Sequence, residues 1–337
     1  MVKYLTREDV LEAIKRNGNK AEGLDLSGAR FVEKIDLSGL NLSGIILKGI
    51  LCNHSDVNGV HFGAKFNGSN MEGAILSGAM IPSSDFGLLI DKPTILRSAD
   101  LRNALIPYAN FEGADLSHVQ LQAEKYDNNP PGTSLFGANF QKATLYHTNF
   151  KGCDCRMAKF EGAYVSDTDI TEARLENIDW GKYKIGEEND REYLVAEQCY
   201  RKLKVWYKQS GYDDTAAKFY YREKESGRKG ARHWYDRATG WLMWALFGYG
   251  ERWRRILFWI AGLVLFFTLI YFVIGTLTPN SFLDCLYFSA VSFIALGYGS
   301  WITGSTGWVR GLGVVETFLG FFLMTLLLVT FMRKWSR

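Results

Sequence analysis

Cysteine, proline and histidine are scarce in this chain of 337 residues, which has five cysteines, six prolines and five histidines. The odd cysteine count argues against a disulfide scaffold. The pair Cys153 and Cys155 has no second pair or histidine at ligand spacing, so a zinc site is not expected. The histidines are scattered and do not fit the residue order of a Ser/His/Asp catalytic triad, and no phosphate-binding glycine loop is apparent. An enzyme is therefore the least favoured class, and no cofactor is expected.

An excess of one charge sign is also lacking, because 39 basic side chains face 36 acidic ones and leave a net charge of +3. This balance argues against a nucleic-acid binder. The charges are unevenly placed, since residues 20–182 carry 15 basic and 20 acidic side chains. Ile256 to Leu283 has no charge, and Gly311 to Met332 has only Glu316. Both stretches are long enough to span a bilayer, which predicts a multi-pass membrane protein.

The basic residues at the span ends predict the orientation. Arginines precede the first span and basic residues follow the second, whereas the segment between them has only Asp284 and Arg310. The positive-inside rule then predicts that the N- and C-termini are cytoplasmic. The expected location of the spans is the cell membrane, either inner or plasma. The N-terminus has no apolar core, so a cleaved signal peptide is not expected. Eight of the ten tryptophans lie near the span ends, where an interfacial aromatic belt is expected.

An apolar residue recurs at every fifth position from Leu26 to Trp180, with a small or apolar residue two places before it. Neither the helical nor the strand period explains this spacing. Breaks fall at residues 87–95 and 122–134, and the first run, through Cys52, Val57 and Phe62, shifts by one residue after Phe31.

The pentads Ala99-Asp100-Leu101-Arg102-Asn103 and Ala114-Asp115-Leu116-Ser117-His118 resemble the pentapeptide-repeat family. The resemblance implies a right-handed quadrilateral β-helix over 20–182, with four pentads per coil and positions i and i−2 pointing inward. At a strand spacing of about 4.8 Å, about seven coils extend roughly 34 Å. Residues 1–19 are expected to form a capping helix, with Thr6 and Asp9 at its N-terminus. Some family members mimic DNA, but the interspersed basic residues here disfavour that role.

Residues 183–250 lose the five-residue period and predict a helical hairpin followed by an interfacial linker. The helices are expected within 190–210 and 213–226, with Gly227 and Gly230 ending the second. The basic charge of this segment is compatible with RNA or acidic lipid, although a solvated helix face beside a membrane anchor is favoured. Residues 241–247 predict a short interfacial segment.

Residues 251–337 contain a first span at about 254–277, an apolar helix at 282–294, the segment Ala295-Leu296-Gly297-Tyr298-Gly299 and a second span at about 308–332. This order resembles the two-span pore module of potassium channels. The resemblance implies a homotetramer in which the 295–299 backbone carbonyls replace the water shell of K⁺, with Na⁺ as an alternative ion. Potassium channels are themselves the standard example of ion selection by rings of backbone carbonyls.

Three residues depart from the family's usual TVGYGD filter: Ala295 replaces a threonine, Leu296 replaces a valine, which is a mild change, and Ser300 replaces an aspartate that supports the outer mouth. K⁺ selectivity therefore stays open. Glu316 is expected to support the filter by hydrogen bonding to Ser289 or Ser292, with a direct role in conduction as the alternative. Gly320 matches the family's hinge position, and Met324, Leu328 and Phe331 are candidates for a hydrophobic gate.

The sequence as a whole predicts a multidomain membrane protein in which a β-helix, a helical linker and an all-α pore assemble as a homotetramer in the lipid bilayer. The predicted function is a cation channel whose β-helix serves as a regulatory or scaffold module for an unidentified cytoplasmic ligand or partner, with no nucleic acid expected. The alternative is a membrane-anchored scaffold with a non-conducting or non-selective pore. Metal is expected only as the permeant cation.

Overall fold

A computed structural model describes residues 4–32, 35–51, 54–55, 61–122, 133–275, 281–294 and 307–335. The chain divides into two compact units, Met1–Cys199 and Tyr200–Arg337. Each unit has its own core and is treated separately below.

The first unit is a coil of short parallel bridges arranged in four columns. Before the last coil, backbone amides that follow bridge residues donate to the next coil, as in Leu101 N to Gln120 O at 2.9 Å. The pentads therefore wind into a four-column β-helix in which backbone polar groups pair between coils. The columns run through Asp25, Ile46, Ile75, Asp100, Gln120, Asn149 and Asp169; Arg30, Leu51, Met80, Leu105, Ser134, Asp154 and Arg174; Asp36, Lys65, Asp85, Asn110, Asn139, Lys159 and Asp179; and Asn41, Asn70, Ile95, Asp115, Thr144 and Tyr164.

The core of the β-helix consists of the fifth-position residues and the small residues two places before them. Ala99 and Leu101, which represent the two inward positions, are fully buried. One inward column is aromatic: its rings are stacked with centroids 4.8, 4.9, 5.1, 5.0 and 5.1 Å apart between successive neighbours. This column contains Phe66, Phe86, Phe111, Phe140, Phe160 and Trp180. Cys153 and Cys155 are buried thiols, and burial raises the pKa of both.

The structure corrects the first run of pentads. Bridge residues in successive columns are typically five residues apart along the chain. Leu51 and Lys65 also occupy successive columns, but they are fourteen residues apart. The inserted segment includes an antiparallel pair, β3 (His54–Ser55) with β4 (His61–Phe62). The expected coil position at Phe62 is therefore wrong, because Phe62 lies in an antiparallel strand and not in a parallel bridge column. Cys52 and Val57, which were expected at inward positions of the same run, lie outside the described residues. The break at 87–95 contains a small bridge between Leu89 and Lys92.

Both ends of the β-helix carry added elements. At the N-terminal end, β1 (Tyr4–Leu5) pairs with β2 (Arg30–Phe31), and α1 (Arg7–Arg16) begins with a capping box formed by Thr6 and Asp9. At the other end is the short helix α2 (Gly186–Asn189). The sequence thus provides the coil ends with hydrogen-bonding partners, which isolated coils need.

Helix α2 completes the last coil through a side chain. In the preceding coils the amides of Leu116 and Leu145 donate to backbone carbonyls 2.8 and 2.9 Å away. The equivalent amide of Val165 donates instead to Glu187 Oε1 at 2.7 Å. Glu187 is fully buried, and its Oε2 has no hydrogen-bonding partner. Burial, with a smaller contribution from Glu192, raises the pKa of Glu187 to about 7.

The predicted hairpin consists of α3 (Tyr193–Gln209) and α4 (Asp213–Gly230). Helix α4 continues through Gly227 and ends at Gly230, so the expected stop at the first glycine is wrong. In the second unit, the buried Glu223 links the two helices through Lys204 Nζ at 2.6 Å and Arg201 Nε at 3.2 Å. Burial of this carboxylate is possible because two cations compensate it.

Helix α5 (Trp234–Phe247) has no buried residue and presents Trp234 and Trp241 to its surroundings at 79% and 56% exposure. A 3₁₀ turn, Gly248–Gly250, connects it to the first long apolar helix. Arg255 fixes the connection, because it donates to the Trp244 carbonyl at 2.7 Å and lies 4.9 Å from the Trp244 ring centroid. An exposed aromatic helix joined to an apolar one is typical of a membrane interface.

The part of the second unit that the structure describes after Glu251 contains the helices α6 (Trp253–Ile274), α7 (Phe282–Phe293) and α8 (Gly307–Trp335). Two candidate membrane spans, Trp253–Ile274 and Gly311–Met332, have 22 residues each. At 1.5 Å per residue each is about 33 Å long, which matches the hydrocarbon core of a bilayer. Helix α7 has 12 residues and extends only about half that distance.

Candidate functional site

The half-length helix α7 lies against both long helices. One buried cluster joins Phe267 and Tyr271 of α6 to Cys285 and Phe288 of α7. A second cluster joins Ile256, Phe293 and Leu323, one from each helix. Helix α7 is therefore held at both ends by apolar contacts with the helices that flank it in sequence.

Glu316 lies fully buried at the centre of this three-helix cluster. The Tyr271 hydroxyl donates to its Oε2 at 2.8 Å, and the Ser289 hydroxyl is in hydrogen-bond contact with its Oε1. Ser289 Oγ is also 2.9 Å from the Val264 carbonyl oxygen. A carboxyl group in an apolar segment is costly unless it is paired, and here both of its oxygens have partners from the other two helices.

Ser292 does not make the hydrogen bond to Glu316 that the sequence analysis considered for it. Its hydroxyl donates to the Phe288 carbonyl within α7 at 2.8 Å and does not bond to Glu316. Its backbone carbonyl accepts a hydrogen bond from Thr317 Oγ1, also at 2.8 Å. Of the two serines, the structure thus brings only Ser289 to Glu316, and it adds a second link between α7 and α8.

Gly320 lies where α8 contacts the end of α7. A Cβ atom there would come within 2.3 Å of the Phe293 carbonyl oxygen and 3.0 Å of the Phe293 ring. Such distances are too short for real side chains, so the glycine allows the two backbones to approach. Helix α8 is continuous through this residue, from Gly307 to Trp335.

The gate candidates lie on the lower part of α8. Met324, Leu328 and Phe331 are 45%, 59% and 42% exposed in the single chain. The Phe331 ring contacts Trp253 at the start of α6, with centroids 6.2 Å apart, and stacks on Trp335 at 5.6 Å. Met324 and Leu328 are therefore on an open surface of the chain, whereas Phe331 is partly engaged by its aromatic neighbours.

The candidate filter residues Ala295, Leu296, Gly297, Tyr298 and Gly299, together with Ser300, lie outside the described residues. Two residues that contact the site were not singled out from the sequence, Tyr271 and Thr317. Thr317 had one available signal, because it follows the lone charged residue of the second span. Among the described residues there is no group of three or more His, Cys, Asp or Glu side chains suited to a metal ion.

Each of the two units contains a match to a different known family. Residues 258–337 match the family model described as Ion channel. Residues 94–123 and 132–179 match Pentapeptide repeats, in eight copies. The bridge columns extend these repeats back to Asp25. The chain thus joins pentapeptide repeats to an ion channel domain.

Several solved structures match about half of this chain. QnrB1, a plasmid-mediated fluoroquinolone resistance protein, is 16% identical over 53% of this chain and 90% of its own, with a TM-score of 0.29. Rfr23 from the cyanobacterium Cyanothece 51142 is 18% identical over 51% of this chain and 99% of its own, with a TM-score of 0.23. HetL from Nostoc sp. strain PCC 7120 is 20% identical over 52% and 95%, with a TM-score of 0.19. No curated protein matches the chain significantly.

Proposed function

From an ion channel domain joined to pentapeptide repeats, we propose that this chain forms a homotetrameric cation channel in the cell membrane, with both termini in the cytoplasm. The observation that carries the proposal is the placement of α7. This half-length helix is held between two spans and ends at Phe293, with only Ile294 between it and the sequence Ala295-Leu296-Gly297-Tyr298-Gly299. A short helix that ends beside the pore directs the partial negative charge of its C-terminus toward a permeant cation.

One chain supplies one extended filter segment, and a ring of backbone carbonyls requires several copies around an axis. The exposed apolar surface of α8 supports this assembly, because Phe318, Phe321 and Leu328 are 73%, 72% and 59% exposed in the single chain. In the proposed tetramer this surface faces neighbouring subunits, the lipid or the pore. Glu316 and Ser289 support the filter from behind, and Gly320, Met324, Leu328 and Phe331 belong to the moving inner helix.

The filter sequence favours a cation pathway and gives less support to strict K⁺ selectivity. Gly297 and Gly299 permit the left-handed backbone that points successive carbonyls inward. Ala295 removes the ring of hydroxyl oxygens that a threonine supplies at the innermost site. K⁺ is the proposed permeant ion, with Na⁺ as the second. The pentapeptide repeats form the cytoplasmic module that regulates the pore or recruits a partner.

Purified full-length protein in liposomes tests the proposal. We expect K⁺ flux that Ba²⁺ blocks, and a detergent-solubilised species with the mass of four chains. The variant Gly297→Ala is the matched control, because it should keep the tetramer but abolish the flux by blocking the filter backbone conformation. A tetramer without flux would favour the membrane-anchored scaffold, and a monomer without flux would refute the channel.

A further inference from the structure

Helices α3 and α4 carry more positive charge than their own carboxylates compensate. Together, residues 193–230 contain nine basic and five acidic side chains. Two of the acidic residues, Glu223 and Glu225, are buried, and basic side chains of the hairpin lie against both. Cations held at fixed positions bind an anion more strongly than the same charges on mobile side chains, because less entropy is lost on binding. Among the described ion pairs, the larger of the two clusters is the one around Glu223.

Three basic side chains converge on the carboxylate of Glu223. On α3, Lys204 Nζ is 2.6 Å from its Oε2, and Arg201 Nε is 3.2 Å from its Oε1. On α4, Lys224 Nζ is 4.0 Å from Oε1. The Glu223 side chain is 3% exposed, whereas those of Arg201, Lys204 and Lys224 are 57%, 25% and 43% exposed. The cations are therefore accessible from solvent, and the carboxylate that draws them together is not.

The cluster remains positive after the nearby carboxylates are counted. Glu197 lies one turn before Arg201 on the same face of α3, so three basic side chains are set against two acidic ones. Lys224 is at ion-pair distance from Glu223 but beyond the reach of a hydrogen bond, so its donors are not used by this carboxylate. Like charges held this close repel one another. A further anion bound between them would therefore stabilise the cluster.

The ring of Tyr220 holds two of the cations in place. Lys204 Nζ and Lys224 Nζ each lie 5.6 Å from the centroid of this ring. Cation–π attraction restricts these two long side chains and so lowers the entropic cost of binding an anion. The same contacts occupy a ring on which an RNA base could otherwise stack. The cluster thus suits a compact anion better than a polynucleotide strand.

The cluster lies close to the start of the first candidate span. The Tyr249 hydroxyl, in the 3₁₀ turn that leads into α6, donates to Glu225 Oε2 at 3.5 Å. Glu225 follows Glu223 by two residues of α4, which is about 3 Å along the helix axis. Acidic phospholipids concentrate negative charge at the cytoplasmic surface of a membrane, where basic segments beside a span meet them. A lipid phosphate is therefore one available source of the anion.

We propose that Arg201, Lys204 and Lys224 form a binding site for a phosphate group, supplied by the headgroup of an acidic phospholipid or by soluble phosphate. The two ammonium groups act as compact point charges, and the guanidinium group adds planar donors. Charge-assisted hydrogen bonds of this kind to phosphate oxygens are stronger than those between neutral groups. Glu223 is the positioning residue that holds the three side chains together. The site does not depend on whether the pore conducts.

The test measures the unfolding temperature of the full-length protein in detergent, which a ligand of the folded state raises by mass action. One probe is inorganic phosphate, compared with chloride at the same ionic strength, so that general screening is constant. The other probe is phosphatidic acid in mixed micelles, compared with phosphatidylcholine. The concentration dependence of the unfolding temperature gives an apparent affinity for each probe.

Four variants test the residues. Lys224→Gln should weaken the affinity about fivefold, the size expected for one partly exposed ion pair, and Lys224→Arg should stay near the wild type. Lys151→Gln is the matched control, because it removes the same charge from an exposed lysine of the β-helix. Glu223→Gln removes the carboxylate that competes with phosphate and should raise the affinity about fivefold. If Glu223→Gln fails to fold, the comparison of Lys224→Gln with Lys151→Gln decides.

The two probes also separate the sources of the phosphate group. Stabilisation by phosphatidic acid alone assigns the site to a lipid headgroup, stabilisation by phosphate alone assigns it to a soluble anion, and stabilisation by both supports a site for either. The proposal is overturned if neither probe stabilises the wild type, or if Lys224→Gln and Lys151→Gln weaken binding equally. It is also overturned if a single-stranded RNA oligonucleotide binds more tightly than both probes and Lys224→Gln abolishes that binding.

Discussion

The hydroxyl group of Tyr271 on the first span donates a 2.8 Å hydrogen bond to Oε2 of Glu316 on the second span. Through its other oxygen, Glu316 is in contact with Ser289 of the half-length helix. One buried carboxyl group therefore joins all three helices of the ion channel domain. Such a polar contact gives the three helices a defined register, which apolar packing in lipid specifies less strongly.

The first prediction concerns this contact. Tyr271→Phe removes the donor to Oε2 and should lower the free energy of unfolding by about 1 kcal/mol, the usual range for hydrogen bonds between membrane helices. Glu316→Ala should cost more, because it leaves both Tyr271 and Ser289 without this acceptor. The measurement is thermal unfolding of the assembled protein in detergent. Tyr235→Phe, an exposed tyrosine on α5, is the control and should have no effect; equal losses in the two tyrosine variants would contradict the assigned role.

The second prediction concerns ion selectivity. Ala295→Thr restores four hydroxyl oxygens, one from each subunit of the proposed tetramer, at the innermost filter site. We expect the K⁺/Na⁺ permeability ratio to rise, because these oxygens add a coordination layer that suits dehydrated K⁺. Reversal potentials in mixed K⁺ and Na⁺ measure the change. Ala295→Ser, which also adds a hydroxyl group, should shift the ratio in the same direction, and unmoved potentials in both variants would refute the argument about the missing hydroxyl.

The third prediction concerns the aromatic column inside the β-helix. Phe111 is fully buried and stacks between Phe86 and Phe140, at 4.9 and 5.1 Å. Phe111→Ala should lower the free energy of unfolding of the β-helix by about 3–5 kcal/mol, because it opens a cavity in a column with no alternative packing. Met157→Ala, at an exposed outward position, should change it by less than about 0.5 kcal/mol. Denaturant unfolding followed by circular dichroism provides the comparison, and similar midpoints for the two variants would be inconsistent with a stacked core.

The β-helix could be predicted because its period is local. Each pentad places its own small and large residue inward, so Ala99 and Leu101 reveal their burial without knowledge of distant contacts. The same locality explains the error at Phe62. This residue keeps the five-residue spacing by coincidence, and only the pairing of β3 with β4 distinguishes a hairpin from another coil.

The ion channel domain was less predictable because its contacts depend on helix rotation and tilt. A lone carboxylate in an apolar segment indicates that Glu316 has a partner, and Ser289 was one of two candidates. Tyr271 could not be identified in the same way, since it is one of many aromatic residues in the first span. The link from Thr317 to a backbone carbonyl is invisible in sequence, because every residue of α7 has such a carbonyl.

The last prediction is a pH dependence that originates in Glu187. The pKa of this buried carboxyl group is raised to about 7 in the folded chain, so folding favours its protonated form. The resulting stability is present in full below the unfolded-state pKa, near 4.5, and is lost as the pH rises through about 7. Glu187→Gln, which stays neutral, should remove a loss of up to about 3 kcal/mol over this window. Thermal unfolding between pH 4.5 and 8 measures it. Glu172→Gln, at an exposed position, should keep the wild-type slope, and an unchanged slope in Glu187→Gln would show that the pH dependence does not originate in Glu187.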